Sequence, residues 1–262
     1  MICIACGEEK EKLAKSHIVP NFVRKRLTGE PDNKGNKKFK FKWGGREDLP
    51  KQDLPKPYLM CKKCDNDLGA KVERDIAPFI MPDKVDDMAS WDKLDIDTLD
   101  NVRVSGAPFH VGKYVCSNNE KSMLNKFSIS VAWRALHAMA KDERPLSKKF
   151  LDSERGVKVN NAAINHIFND EPPYDLYGAT LYYLRPSPVP FITNQIDEYP
   201  FAWVELGGNQ SDLGIGVIFG CWVIIWPLGN GGMSEYFDHL DRLEKECFES
   251  WLFQVRSELA NA

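Results

Sequence analysis

The sequence lacks a long apolar stretch. Its most apolar segment, residues 213–228, is shorter than the roughly 20 residues that a transmembrane helix needs, and several glycines interrupt it. Too few residues precede Cys3 to form a signal peptide, and no other targeting segment is evident. We therefore expect a soluble, cytoplasmic protein with no membrane partner, whose thiols stay reduced.

The chain also has little net charge, −3 over 262 residues, which by itself indicates no polyanionic partner. This charge is unevenly divided. Residues 1–74 contain 18 lysines and arginines against 11 acidic residues, a net charge of +7, so the rest of the chain carries −10. A basic part of this kind could present a positive surface to a nucleic acid. Alternatively, the lysines of residues 34–42 only solvate a loop, and the count does not separate the two interpretations.

Cysteine is scarce, with seven in the chain, but four of them form two closely spaced pairs. Cys3 and Cys6 make one Cys-x-x-Cys pair, and Cys61 and Cys64 make the other. Two such pairs can supply the four thiolates of a tetrahedral zinc site, whereas a disulfide framework is disfavoured in a reducing compartment. We predict one structural Zn²⁺ on these four cysteines. The remaining three lie singly among apolar residues and are interpreted as small buried side chains: Cys116, Cys221 and Cys247.

Residues 1–77 are predicted to form a module around that zinc ion. A helix is predicted from Asp65 onward, because apolar residues follow it at helical spacing. Residues 28–57 are rich in glycine, proline and lysine and predict a long loop or a weak hairpin. Within them, residues 39–43 alternate aromatic residues with lysines, which predicts a strand. Aromatic faces beside lysines can bind nucleic acid, but any half-buried strand shows this alternation, and that is the preferred interpretation.

Three features follow one another in the first 75 residues: a cysteine pair, the Ser-His-Ile-Val-Pro segment of residues 16–20, and the Leu-Met-Cys-Lys-Lys-Cys-Asp-Asn segment of residues 59–66. Together they resemble the His-Asn-His (HNH) endonuclease family in its zinc-knuckle form. The resemblance implies a treble-clef-like fold, in which a zinc-stapled hairpin precedes a helix. It also implies metal-dependent hydrolysis of phosphodiester bonds in DNA, with defence against foreign DNA as a setting.

The resemblance assigns roles to individual residues. His17 corresponds to the general base that takes a proton from the attacking water. Asp65 falls at the family's last metal-ligand position, where it would hold a catalytic Mg²⁺ or Mn²⁺. Glu73, two turns further along the same helix, is interpreted as a solvated carboxylate. Four lysines are candidate contacts to DNA, or to RNA: Lys40, Lys42, Lys62 and Lys63.

Two positions depart from the family pattern. Ser16 stands where many relatives have an acidic metal ligand, and Lys56 stands near the position of the middle asparagine. Because a structural zinc and a catalytic ion are independent requirements, a chain can keep the first and lose the second. The alternative function is therefore a catalytically inactive zinc-binding module that binds nucleic acid or a partner protein. On this interpretation His17 only makes hydrogen bonds.

Residues 78–262 are predicted to form a second, larger α+β domain through which a partner protein could bind. Residues 123–139 are apolar nearly all round, which predicts a buried helix. On this helix Arg134 and His137 are interpreted as buried structural residues rather than as a phosphate site. A last helix is predicted from Ser234. Four segments rich in β-branched and aromatic residues predict an antiparallel sheet: residues 179–184, 201–206, 215–219 and 222–226.

Overall fold

The computed structural model combines helices with a largely antiparallel sheet. The predicted α+β fold class is therefore confirmed. The last predicted helix, from Ser234, lies outside the described residues. The residues that the structure describes are 1–23, 39–42, 49–51, 56–80, 96–99, 103–104, 107–114, 118–172, 178–186, 200–207, 209, 211, 213–219 and 222–229.

Residues 1–23 and 56–80 form what we call the cysteine module. Its first loop closes through an antiparallel bridge between Ile2 and Glu9, and Gly7 turns the chain there with a left-handed backbone (φ 69°). Residues 14–16 then run antiparallel to residues 57–60 through a bridge between Lys15 and Tyr58. On either side of this bridge, Ala14 N–H donates to Met60 O at 2.8 Å and Ser16 N–H to Pro57 O at 3.0 Å.

A long helix follows this pair directly. Helix α1 (Lys62–Leu68) begins three residues before the predicted start at Asp65, because Cys61 provides an extended N-cap (φ −70°, ψ 158°). A π-helical segment, Gly69–Glu73, connects α1 to α2 (Arg74–Ile80). The cysteine module therefore has the order loop, antiparallel pair and helix.

The sheet has nine strands in the described part of the chain, in the order β2-β1-β7-β8-β9-β6-β5-β3, with β4 paired to β5. Neighbouring strands are antiparallel except β1 and β7, which are parallel. All four predicted strands are present, as β6 to β9. The strands are β1 (Phe39–Lys42), β2 (Leu49–Lys51), β3 (Ile96–Leu99), β4 (Arg103–Val104), β5 (Ala107–Tyr114), β6 (Thr180–Pro186), β7 (Pro200–Leu206), β8 (Gly214–Phe219) and β9 (Trp222–Pro227).

Three helices lie between β5 and β6 in sequence: α3 (Asn118–Lys141), α4 (Pro145–Leu151) and α5 (Glu154–Asn169). Helix α3 packs on β8 and β9 and also contacts α4 and α5, which explains why it is apolar nearly all round. The buried helix predicted at residues 123–139 is thus confirmed. Within the described residues, no helix combines the length and apolarity that crossing a bilayer requires.

The cysteine module and the sheet share one cluster of buried side chains. The rings of Phe22 and Phe127 lie 6.4 Å apart, and Trp222 Nε1–H donates to Ile80 O at 3.0 Å. The boundary predicted between residues 77 and 78 falls inside α2, and β1 lies in the sheet beside β7. The division into two domains stays a prediction.

We predict that Gly156→Ala destabilises the protein by about 2 kcal/mol or more. A methyl carbon at this position in α5 would lie 1.7 Å from Phe150 O, so α4 and α5 would have to move apart. Gly69→Ala is the matched control, because this residue is already helical (φ −57°, ψ −43°) and no described atom lies within 4 Å of the added carbon. Urea unfolding should show a lower midpoint for the first variant only. Equal midpoints for Gly156→Ala and the wild type would contradict this packing of α4 against α5.

Candidate functional site

The four paired cysteines converge at one point of the cysteine module. Their Sγ atoms all lie within 4.8 Å of one another, and all four are free thiols. Cys3 and Cys6 come from the first loop, whereas Cys61 is the N-cap of α1 and Cys64 lies in its first turn. Cys6 is exposed and the other three are buried. The predicted pairing of the two motifs is confirmed as a cluster that can hold a metal ion.

Backbone hydrogen bonds hold the two cysteine pairs together. Cys61 N–H donates to Cys3 Sγ at 3.2 Å, and Ile4 N–H donates to Leu59 O at 3.1 Å. Gly7 N–H donates to Cys3 O at 2.9 Å and closes the first loop. The first loop is thus fixed against the start of α1 by main-chain bonds as well as by its cysteines.

The thiols differ in acidity. Burial raises the pKa of Cys3, but backbone hydrogen bonds from Cys6, Cys61 and Ala5 outweigh it and lower the pKa to about 7. Burial, a hydrogen bond with Cys61 and the negative charge of Cys3 all raise the pKa of Cys64. A hydrogen bond from the Glu8 backbone lowers the pKa of Cys6, yet burial and Cys3 raise it overall. One thiolate therefore suppresses ionisation of its neighbours, as expected for a cluster whose negative charge a cation would balance.

The donor set fits Zn²⁺. Zn–S bonds of about 2.3 Å in a tetrahedron put the sulfurs about 3.8 Å apart, so a cluster within 4.8 Å needs only a small contraction. Four sulfur donors leave no open coordination position, which is typical of a structural rather than a catalytic zinc site.

His17 lies in a closely packed segment between the antiparallel pair and residues 21–23, which form a short helical turn. Within residues 16–20, Ser16, Ile18 and Val19 are fully buried, and His17 keeps partial exposure. The His17 carbonyl oxygen accepts a hydrogen bond of 2.6 Å from Arg134 Nη1. The segment thus has a hydrogen-bonded backbone and one partly exposed residue, His17.

Arg134 lies on α3 and is only 2% exposed. The interpretation of this residue as a buried structural arginine is confirmed. Its Nη1 also donates to Glu73 Oε1 at 2.8 Å, and its Nε donates to Ser130 O at 3.2 Å. The interpretation of Glu73 as a solvated carboxylate is wrong, because 20% of its side chain is exposed and it pairs with Arg134.

A π-helical segment ends at Glu73, so regular α-helical spacing does not describe the position of Glu73 relative to Asp65 and Gly69. No local pattern indicates the arginine partner, which is 61 residues away. The ion pair between Glu73 and Arg134 is therefore the feature of this region that the sequence does not predict.

His137 is likewise a structural residue, as interpreted. Its Nε2 lies 2.8 Å from Asn160 Oδ1, which also accepts the Trp133 Nε1–H at 2.8 Å. Burial lowers the pKa of His137 to about 4, Asn160 partly opposes this, and the charge of Lys141 adds to it. A histidine that is neutral at pH 7 lacks the positive charge that favours phosphate binding, and the contact with Asn160 already occupies its Nε2.

Asp65 directly follows Cys64 in α1 and is half-buried. In the described part of the chain, the only convergent group of three or more His, Cys, Asp or Glu ligands is the four-cysteine cluster, which does not include Asp65 or His17. The structure therefore brings together the four predicted zinc ligands, while Asp65 as a metal ligand stays a prediction.

The four candidate lysines lie in two places. Lys62 and Lys63 are exposed in the first turn of α1, and Lys63 pairs with Asp67 at 2.7 Å. Lys40 and Lys42 belong to β1, between β2 and β7. Contact of any of these lysines with nucleic acid remains a prediction.

Comparisons of this chain with protein-family models, with curated proteins and with solved structures give no match. The HNH resemblance thus rests on the motif residues themselves, and the site is interpreted from its own geometry.

We predict that the purified protein contains one zinc ion per chain and that Cys61→Ser loses it. Serine cannot supply the soft thiolate that completes the four-sulfur shell. Cys247→Ser is the control, since this cysteine belongs to neither pair, and it should keep the metal. Elemental analysis after dialysis measures both. Zinc retained in the Cys61 variant would show that the cluster is not the site.

We also predict that zinc binding by the metal-free protein releases protons and weakens as the pH falls. A thiol must lose its proton to bind zinc, and the raised pKa values of Cys6 and Cys64 keep these groups protonated at neutral pH. The affinity is therefore highest in alkaline solution and falls as the pH falls, more steeply below about pH 7, where Cys3 also takes up a proton. Calorimetry in two buffers with different ionisation enthalpies counts the protons. A count of zero would contradict this electrostatic description.

Proposed function

We propose that this protein is a metal-dependent nuclease that hydrolyses phosphodiester bonds of DNA, with an HNH-like, treble-clef-like cysteine module. The observation that carries the proposal is that the segment bearing His17 pairs with the residues that lead into α1, the helix whose start supplies Cys61 and Cys64 to the cysteine cluster. The antiparallel bridge between Lys15 and Tyr58 joins the residue two before His17 to the strand that leads into α1. This order of a hairpin and a helix is the one that the family resemblance implies.

In the proposed reaction His17 is the general base. His17 is the polar residue of 16–20 that keeps partial exposure, and the proposed reaction requires a water molecule to reach its imidazole. The imidazole takes a proton from this water, the water oxygen attacks the phosphorus, and the bond to the leaving oxygen breaks. Imidazole suits this role because it titrates near neutral pH.

Asp65 is the proposed protein ligand of a catalytic Mg²⁺ or Mn²⁺. Its carboxylate is of the kind that hard divalent cations prefer, and it is half-buried in the first turn of α1. Bound there, such an ion supplies charge that stabilises the negative oxygens of the scissile phosphate. The structural zinc on the four cysteines takes no part in the chemistry.

The proposed substrate contacts are basic. Lys62 and Lys63 are exposed beside the cysteine cluster, and Lys40 and Lys42 lie on β1. Lysines that neutralise phosphates give binding that weakens with salt and that reads shape and charge rather than base sequence. DNA is the proposed substrate, RNA is a related one, and defence against foreign DNA is the proposed setting.

A second candidate function is a catalytically inactive zinc module that binds nucleic acid or a partner protein. Two observations favour it. Ser16 is fully buried, so the position that holds an acidic ligand in many HNH proteins offers no ligand here. In addition, the four cysteines are the only convergent metal-ligand group among the described residues. In this function His17 only makes hydrogen bonds within the cysteine module.

We predict that the protein nicks supercoiled plasmid with Mg²⁺ or Mn²⁺ and that His17→Ala lowers the rate by a factor of about 100 or more. Asp65→Asn should raise the metal concentration needed for half-maximal rate. Asp67→Asn is its matched control, because it lies in the same helix and pairs with Lys63 instead. Each variant must retain its zinc.

The same experiment decides between the two candidate functions. A wild-type protein that leaves plasmid intact but shifts it on a gel, in a salt-dependent manner, would contradict the nuclease and support the binding module. Cleavage retained in His17→Ala would contradict the role of His17.

A further inference from the structure

Arg134 connects α3 to the segment that carries His17. It belongs to a helix outside the HNH-like residues, and its two long-range acceptors are 117 and 61 residues away in sequence. The Nε–H bond to Ser130 O immobilises the guanidinium on its own helix. Nη1 then bridges the backbone of His17 and the carboxylate of Glu73. Three hydrogen bonds thus fix one side chain between three segments of the chain.

Stability alone is a poor reason for this arrangement. Burying a guanidinium costs several kcal/mol, and the attraction of a partner carboxylate repays this cost only with excellent geometry. Arg134 Nη2 has no hydrogen-bond partner among the described residues, so its hydrogen bonding is incomplete. An apolar side chain of similar volume would fill the space at no electrostatic cost. We therefore expect the ion pair to orient the groups that it joins rather than to stabilise the fold.

The residues on both sides of His17 are held in place, so the bond from Arg134 acts on a short segment. On one side Ser16 N–H donates to Pro57 O, and on the other Ile18 and Val19 are fully buried. The bond from Arg134 fixes the peptide plane between His17 and Ile18. Without this bond, the segment that carries His17 loses its polar anchor to α3 and can shift, and the imidazole shifts with it.

We propose that Arg134 is a positioning residue that, with Glu73, sets the orientation of the His17 imidazole, so that α3 belongs to the working unit of the site. This inference rests on the proposed nuclease function and deepens it, because it makes the activity depend on a helix outside the cysteine module. Arg134 acts through His17 and touches no substrate. A displacement of about 1 Å in a catalytic base costs up to roughly 100-fold in rate.

The test compares Arg134→Met, Arg134→Lys and Glu73→Gln with the wild type. Met preserves volume but makes none of the three hydrogen bonds, whereas Lys keeps the charge and one nitrogen. Arg74→Met is the matched control, since Arg74 directly follows Glu73, is exposed, and pairs with Asp75 instead. Zinc content and circular dichroism establish that each variant is folded.

For the cleavage reaction we expect Arg134→Met to lower kcat by a factor of ~10 to ~100 with little change in KM. We expect its pH–rate profile to shift, because the reoriented base meets different surroundings. Arg134→Lys should recover part of the rate, Glu73→Gln should show a smaller loss, and Arg74→Met should keep the profile of the wild type. A folded, zinc-loaded Arg134→Met with unchanged kcat and pH profile would overturn the proposal. If Arg134→Met does not fold, the lysine and glutamine variants decide in the same way.

A measurement that does not require cleavage distinguishes failure of this inference from failure of the proposed function. If the wild type does not cleave DNA, the imidazole resonances of His17, assigned by comparison with His17→Ala, still report its orientation. These resonances should move in Arg134→Met and Glu73→Gln and remain in place in Arg74→Met. Unchanged resonances in the first two variants would overturn the positioning role whether or not the protein is a nuclease.

Discussion

Four sulfurs that converge from two distant parts of the chain are the constraint on which the cysteine module depends. The two pairs are separated by 54 residues, and closing so long a loop costs conformational entropy. Coordination of a cation by these sulfurs would repay that cost, because ligand binding in a small metal-dependent module contributes directly to folding. Once the pairs are closed, the position of the first loop, the antiparallel pair and α1 follows from short hydrogen bonds such as that from Cys61 N–H to Cys3 Sγ.

Helix α3 adds a second constraint from outside the module. Phe127 meets Phe22 of the module, and Trp222, from the strand on which α3 packs, binds the carbonyl of Ile80 at the end of α2. Arg134 completes this contact with polar bonds to His17 and Glu73. A segment with a partly exposed histidine is therefore held by the antiparallel pair on one side and by α3 on the other. Rigid support of this kind is what a general base needs.

Much of this was open to prediction from local patterns. The spacing of the cysteines carries the ligand set because each Cys-x-x-Cys turn places two sulfurs together whatever the rest of the fold does. Strands β6 to β9 and helix α3 follow from runs of β-branched, aromatic and apolar residues whose periodicity reflects burial. Helix α5 was not predicted, although its signals are present: Ser153 accepts a bond from Gly156 N–H, and Val159, Ala163 and Ile167 recur at helical spacing.

Other features depend on partners far along the chain and leave no local trace. The ion pair of Glu73 with Arg134 and the π-helical segment that ends at Glu73 are of this kind. Strand β5 contains Pro108 and Gly112, which read as turn residues, and its pairing with β6 supplies the order that local propensity does not. X-ray absorption at the zinc edge of the purified protein tests the four-sulfur site most directly. We expect a first shell of four sulfurs at about 2.3 Å. A shell containing nitrogen or oxygen, or a protein without zinc, would contradict it.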